Sequence, residues 1–301
     1  MAIVECVPNV SEGRRPEVIE ACAASIRASG ASLLDVHVDA SHNRSVFTFA
    51  GEPATITVAV LALFDTAIPL IDLRSHTGVH PRIGAVDVVP FVPIAGVTLD
   101  ACAAQAREVA AEIARRHALP VFLYEAAATR PERRRLEAIR HGEFEGLAAR
   151  LATAEWTPDF GPSHPHPSAG ATVVGARPPL IAFNVNLTTD RVDIARAIAR
   201  AIRESAGGLR CVKALGLGLA HRGVAQVSMN LTDYTVTSMH DVFDRIRAEA
   251  GRHGIEILDS EVVGLVPSAA LESAAAWYLK IAGFDRRQVL EHRLDDAHLQ
   301  R

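Results

Sequence analysis

Two strand-type runs, residues 31–39 and 44–51, follow one another with only the polar turn ASHNR between them, and long helical patterns flank the pair at 14–29 and 53–70. A turn that short joins antiparallel neighbours, because a parallel crossover needs a dozen residues or more. Strands entering in pairs between helices predict mixed sheets with helices on one face, and argue against a doubly wound parallel sheet. The helix at 14–29 places Val18, Ile19, Cys22 and Ile26 on one side, the spacing of a buried stripe.

The rhythm continues along the chain. AIVECVP at 2–8 reads as a strand, as do AVDVVPFVPI and LPVFLY; 98–118 reads as a helix, and 131–152 as a helix broken near His141 and Gly142. EWTPDFGPSHPHPSAG at 155–170 holds four prolines and two glycines, which exclude helix interior and sheet ladder, so it is a loop. Long ordered loops in compact enzymes are often functional. We place a domain boundary after it, giving subdomains 1–172 and 173–301. The second begins with strands at ATVVGA and LIAFNVNL, then a helix from about 190 with Asp190 as N-cap. Strands LRCVKALGLGL and VAQVSMNLT, a helix opened by a Ser238/Asp241 capping box, the strand IEILDSEVVGLVP and a helix from Ser268 complete it. The fold class is α/β (α+β), with two subdomains that share a rhythm loose enough to leave a duplication open.

With 49% hydrophobic and 22% charged residues the chain is an ordinary folded protein, and a net charge of −4 argues against general nucleic-acid binding. Cys6, Cys22, Cys102 and Cys211 form no CxxC pair and read as free thiols of a reducing compartment. The N-terminus lacks the pattern of a signal peptide, and no stretch of about 18 residues is apolar without a charge or turn signal, so a soluble cytoplasmic protein is expected.

The strongest chemical signal is HTGVHPRIGAVD at 76–87, polar and aperiodic, directly before an apolar strand. His80 there is either a turn-capping residue or a proton shuttle titrating near neutrality. A metal reading with His76, His80 and Asp87 is weaker, because Gly78 and Pro81 oppose the helix that would align the two histidines. Around the strand turn, Asp35, His37, Asp39, His42, Asn43 and Arg44 make either a polar hairpin or, through Asn43 and Arg44, a carboxylate-binding edge. Ser11 in PNVSEGR reads as a helix cap, with an anion site as the alternative. No GxGxxG, P-loop or GxSxG motif is present.

VECVPNVSEGR, LLDVHVDASHNRSVFTFAG and LIDLRSHTGVHPRIGAVDVVPFVP, followed by EWTPDFGP, GATVVGAR, LIAFNVNL, VAQVSMNLTDY and EVVGLVP, resemble the glutamate formimidoyltransferases, in a stand-alone form of the formiminotransferase domain. The resemblance runs from residue 3 to about 285. It implies two α/β subdomains, each a mixed β-sheet with helices on the outer face, the sheets facing across a ligand tunnel. It implies transfer of a formimino group from N-formimino-L-glutamate to N5 of tetrahydrofolate, the folate acting as co-substrate with no metal. His80, before Pro81 and Arg82, matches the acid/base histidine of the family. Gly161, Pro162, Ser163, His164, Pro165, His166, Pro167, Ser168, Ala169 and Gly170 match its folate-contacting stretch. Both substrates carry glutamate carboxylates, and Arg44, Arg82 and Arg177 are the arginines proposed to meet them. The resemblance also implies a homodimer, and a separate cyclodeaminase for the next step. The alternatives are another folate enzyme acting on 5-formyltetrahydrofolate, a metal-dependent hydrolase, or a non-catalytic folate-binding protein.

Overall fold

The computed structural model describes residues 1–297, which divide into two compact units at Pro179 and Leu180. In the first, seven strands form one sheet: β1 (Ile3–Cys6), β2 (Asn9–Val10), β3 (Ser32–Asp39), β4 (Arg44–Gly51), β5 (Val86–Ala95), β6 (Val121–Glu125) and β7 (Thr172–Ala176). β1 and β2 are one run interrupted at Val7 and Pro8, and both lie between β4 and β5, antiparallel to each. β3 pairs with the outer side of β4 through the short turn, antiparallel as its length requires. β7 runs parallel to β5 and β6 parallel to β7, so the sheet is mixed.

Alternation along each strand decides what covers each face. Val121 and Leu123 of β6 and Val174 of β7 point to the main core, with α1 (Pro16–Ala28), α2 (Pro53–Leu70) and α3 (Leu99–His117). Phe122 and Tyr124 of β6 and Val173 of β7 point the other way, onto Ile139 of α4 (Leu136–Arg140) and Leu147 of α5 (Glu143–Leu151). The predicted break falls between these two helices, where Gly142 adopts φ 82°. By length and composition α2, with a mean hydropathy of 1.7, is apolar enough to cross a membrane. It carries Asp65, and its Ile56, Val60, Leu63, Phe64 and Ala67 are fully buried in this core. Each large apolar side chain so buried contributes on the order of 1.5–3 kcal/mol.

The second unit holds β8 (Ile181–Leu187), α6 (Val192–Ile202), β9 (Val212–Leu219), β10 (Val224–Leu231), α7 (Met239–Arg252), β11 (Ile257–Val263), α8 (Ser268–Tyr278) and α9 (Leu290–Asp296). Its sheet has the order β11-β8-β10-β9, and every pair is antiparallel, where a mixed sheet was expected. Ser238 and Asp241 form the predicted capping box of α7. Asp190 does not cap α6: Arg191 is the flanking residue and makes no side-chain cap. The expected boundary at 172/173 also shifts, because ATVVGA pairs in parallel inside the first sheet and belongs to that unit.

The two units repeat one plan. Numbering the strands within each β-α-β-β-α-β run, both sheets have the order second, third, first, fourth. This is the ferredoxin-like arrangement of a split β-α-β. Their hairpins correspond down to the turn, where Asn43 (φ 49°) and Gly223 (φ 62°) each stand one residue before the returning strand. Asn and Gly are the residues that tolerate this left-handed conformation.

Candidate active site

Three irregular segments of the first unit meet at the β3–β4 turn. Asn43, held there with a positive φ, accepts from the Gly13 amide through Oδ1 (3.0 Å) and donates from Nδ2 to the Thr77 carbonyl (3.0 Å). Glycine is required at both contacts. A Cβ on Gly13 would stand 2.3 Å from the Asp39 carbonyl oxygen, and one on Gly78 2.2 Å from that of His42. Ser11 contributes in a way the sequence reading missed. It does not cap a helix: α1 starts at Pro16, and the buried Ser11 hydroxyl donates to the Gly84 carbonyl (2.7 Å). Asp87 fixes the same turn, its Oδ1 accepting from the amides of Ile83 (2.7 Å) and Gly84 (3.3 Å) while Oδ2 pairs with Arg140.

His80 stands half-buried among these groups. Arg44 Nη1 is 2.6 Å from its Nε2. A guanidinium only donates, so Nε2 is the acceptor and the ring is neutral with its proton on Nδ1. Its hydrogen bond to the Pro81 backbone, which has only a carbonyl to offer, agrees. Burial, reinforced by the charges of Arg44 and Arg140 and by His42, holds the His80 pKa well below the ordinary histidine value. Arg44 also donates to Asn9 Oδ1 (3.1 Å), and no carboxylate pairs with it among the described residues. Burial and nearby Arg140 lower its own pKa to about 10, opposed by Asp39 and Asp87, so it stays a cation at neutral pH.

His76 donates from Nε2 to the Asn43 carbonyl (2.9 Å) and accepts at Nδ1 from Arg82 (3.2 Å). Burial first, with Arg82, lowers its pKa. Arg82 is not free to take a substrate carboxylate: it is buried and already grips Glu145 (2.7 Å) and Glu143 (3.1 Å). Arg177 is not at this site. It follows the far end of β7, its amide bonded to Phe91, whereas Asp87 lies at the start of β5. Four residues of strand separate Asp87 from Phe91, roughly 13 Å.

Ser11, His42, Asn43, Arg44, His76, His80, Arg82 and Asp87 line a cavity of about 10 Å³. Beside it a more open cleft of about 500 Å³ is lined by His76, Thr77, Gly78, Arg82, Gly142, Glu143 and Glu145. That volume lies in the range of small-molecule sites. Among the described residues no three His, Cys, Asp or Glu side chains are grouped to hold a metal, and the Asp87 carboxylate is taken by Arg140 and the backbone.

The proline-rich stretch is stitched to the segment after His80. Ala85 donates to the Ala169 carbonyl, Ala171 to that of Ile83, and Gly84 bridges Gly170. His166 closes the loop on itself, exchanging backbone hydrogen bonds with Gly170 while its Nδ1 accepts from the Ser168 and Ala169 amides. Ala169 is buried in the main core, while Ser163, His164 and Pro167 are exposed.

Residues 3–177 match the formiminotransferase domain, N-terminal subdomain, and residues 182–293 match the formiminotransferase domain. The chain is 47% identical over 294 residues to a glutamate formimidoyltransferase of Streptococcus pyogenes, covering 97% of this chain and 98% of that one. It is 42% identical to the enzyme of the same name from Thermoplasma acidophilum, over 99% of both chains. Against the formimidoyltransferase-cyclodeaminase of Rattus norvegicus it is 46% identical over 92% of its own length, and spans 52% of the relative. The two matched segments meet where the two compact units divide, and the chain belongs to the formiminotransferase family.

Proposed function

We propose that this chain is a glutamate formimidoyltransferase, moving the formimino group of N-formimino-L-glutamate to N5 of tetrahydrofolate and releasing glutamate, a step of histidine degradation. The observation that carries the reading is His80, a neutral imidazole whose Nε2 lone pair is held by Arg44, a cation with no carboxylate partner among the described residues. N5 attacks the amidine carbon and must lose a proton. The departing glutamate nitrogen leaves readily only once it has gained one. A histidine with a depressed pKa is unprotonated at neutral pH and accepts the first proton. The substrate carboxylate competes for Arg44, and in drawing that guanidinium away it uncovers Nε2 of the base. Residues 161–170 supply the folate-contacting stretch, beside which Ala85 and Ile83 are pinned. Alignment of the two substrates provides much of the remaining acceleration.

The same reading places the protein in the cytoplasm as a homodimer, with Cys6, Cys22 and Cys102 as buried free thiols. The cyclodeaminase step belongs to a separate protein. In support, the Streptococcus and Thermoplasma relatives, matched over nearly their whole length, are named for the transferase alone. Turnover of formiminoglutamate with tetrahydrofolate by the purified protein, set against 5-formyltetrahydrofolate, tests the reaction. His80→Asn is expected to lower kcat by about 10²-fold or more while the circular dichroism stays native. A folded His80→Asn protein with full turnover would refute the assignment.

A further inference from the structure

His42 is the imidazole of this site with nothing yet to do. The Asp39 carboxylate accepts at Oδ1 from the Ser41 and His42 amides (2.8 and 2.9 Å), which folds the turn. Its Oδ2 lies 2.7 Å from His42 Nδ1, so the ring donates there and exposes a bare lone pair at Nε2. That nitrogen is buried, lacks any partner among the described residues, and belongs to a residue only 3% exposed that lines the small cavity together with His80. Buried acceptors without a partner are rare enough to call for an explanation. Of the three imidazoles on the cavity, His76 has both nitrogens engaged and His80 Nε2 is covered by Arg44; His42 alone presents an open lone pair.

We propose that His42, oriented by Asp39, is the proton-relay partner of His80. This rests on the reading of His80 as the acid/base group. The rings stand edge to face with centroids 5.8 Å apart, and the cavity of about 10 Å³ is the size of one water. Charge sets the direction of transfer. With Arg44 turned to the substrate carboxylate, a proton on His80 still faces the cation of Arg140; a proton on His42 faces the Asp39 carboxylate. The remaining charged groups on the cavity are already matched, Arg82 with Glu143 and Glu145, and Asp87 with Arg140.

As N5 bonds to the amidine carbon, His80 Nε2 takes the N5 proton. It passes that proton to a bridging water, which gives one of its own to His42 Nε2, and the imidazolium is stabilised by Asp39. When the bond from carbon to the glutamate nitrogen breaks, the proton returns by the same route to that nitrogen. One proton moves from N5 to glutamate, the water is unchanged, and no oxidant or reductant enters.

The test compares His42→Asn, His42→Gln, Asp39→Asn and His80→Asn in formiminoglutamate turnover across pH. His42→Asn keeps a donor toward Asp39 but cannot titrate. It is expected to lower kcat by about 10²-fold with KM for both substrates unchanged, and to remove one ionisation from the acid side of the kcat profile. Asp39→Asn, which reverses the tautomer of His42, should do the same. Wild-type kcat and pH profile in His42→Asn and Asp39→Asn, with His80→Asn inactive, would overturn the relay and leave the role of His80 standing. So would a fall in activity with an unchanged pH profile, which is a structural effect. Full turnover by His80→Asn would overturn the underlying reading instead. Nitrogen-15 NMR of the unaltered protein decides even where variants fail to fold: His42 should carry its proton on Nδ1 at neutral pH, and a proton on Nε2 ends the proposal.

Discussion

At the scale of single residues, Arg44 and His80 set each other's chemistry. The guanidinium makes protonation of the ring unfavourable, which keeps the base available at pH values where an ordinary histidine is already charged. Arg44→Gln removes that cation, so the His80 pKa must rise toward its usual value. The acid limb of kcat/KM should therefore move to higher pH. KM for formiminoglutamate should rise roughly tenfold to hundredfold, the weight of a charge-assisted hydrogen bond. A limb that stays in place would show that Arg44 does not govern the ring. His80 and Arg44, whose side chains the fold brings to 2.6 Å, both stand in polar, aperiodic segments at strand edges, a signal readable in the sequence. The pairing of Arg82 is not legible there, because its carboxylate partners lie 61 and 63 residues further on, beyond any local pattern. Asp39 and His42 look like a hairpin turn in the sequence, which they are; what sequence could not tell is that His42 and Asn43 within the turn are buried and that one imidazole nitrogen ends without a partner among the described residues.

At the scale of elements, helix periods and strand runs located nearly every piece, since each depends on residues close in sequence. Partnership of strands does not, and there the reading slipped. ATVVGA reads equally well as the first strand of the second unit or the last of the first, and only its parallel ladder with β5 and β6 decides. The stretch 161–170 was correctly a loop, for its prolines cannot donate to a ladder. What holds it was hidden. Gly170 has φ 71°, and a Cβ there would stand 2.1 Å from the Ile83 carbonyl oxygen, on the backbone segment that follows His80. Gly170→Ala is expected to cost about 2 kcal/mol or more and to weaken folate binding as the two segments separate. Gly146→Ala is the control: it lies within α5 with nothing inside 4 Å of the new methyl, and should gain about 0.5–1 kcal/mol from helix propensity. Thermal melts of the two variants side by side check both signs. Equal effects would mean that the Gly170 contact does not constrain the fold.

At the scale of the whole molecule, the same burial that prepares the site should make stability depend on pH. His76, His80, His117 and His166 all have pKa values lowered first by burial, and in each the neutral form is the one that folds. Below the ordinary value of 6.5 the unfolded chain takes up protons that the folded one refuses, so their contribution is full above that pH and declines as pH falls through it. Carboxyls act lower down. In Glu12 and Asp39 burial alone would raise the pKa, but hydrogen bonds from backbone amides and from Arg15 or His42 outweigh it. Their contribution is present above the usual carboxylate range and is lost as pH drops through about 4. Calorimetry from pH 8 to pH 3 should therefore show Tm falling in two stages, the first beginning near neutrality. In His80→Asn the first stage should shrink, because one of the groups that refuses protons is gone, while the second stays unchanged. A Tm that is level from pH 8 to pH 5, or a first stage of equal depth in the variant, would mean that His80 is not held neutral by the fold, and a neutral His80 is what the proposed chemistry requires.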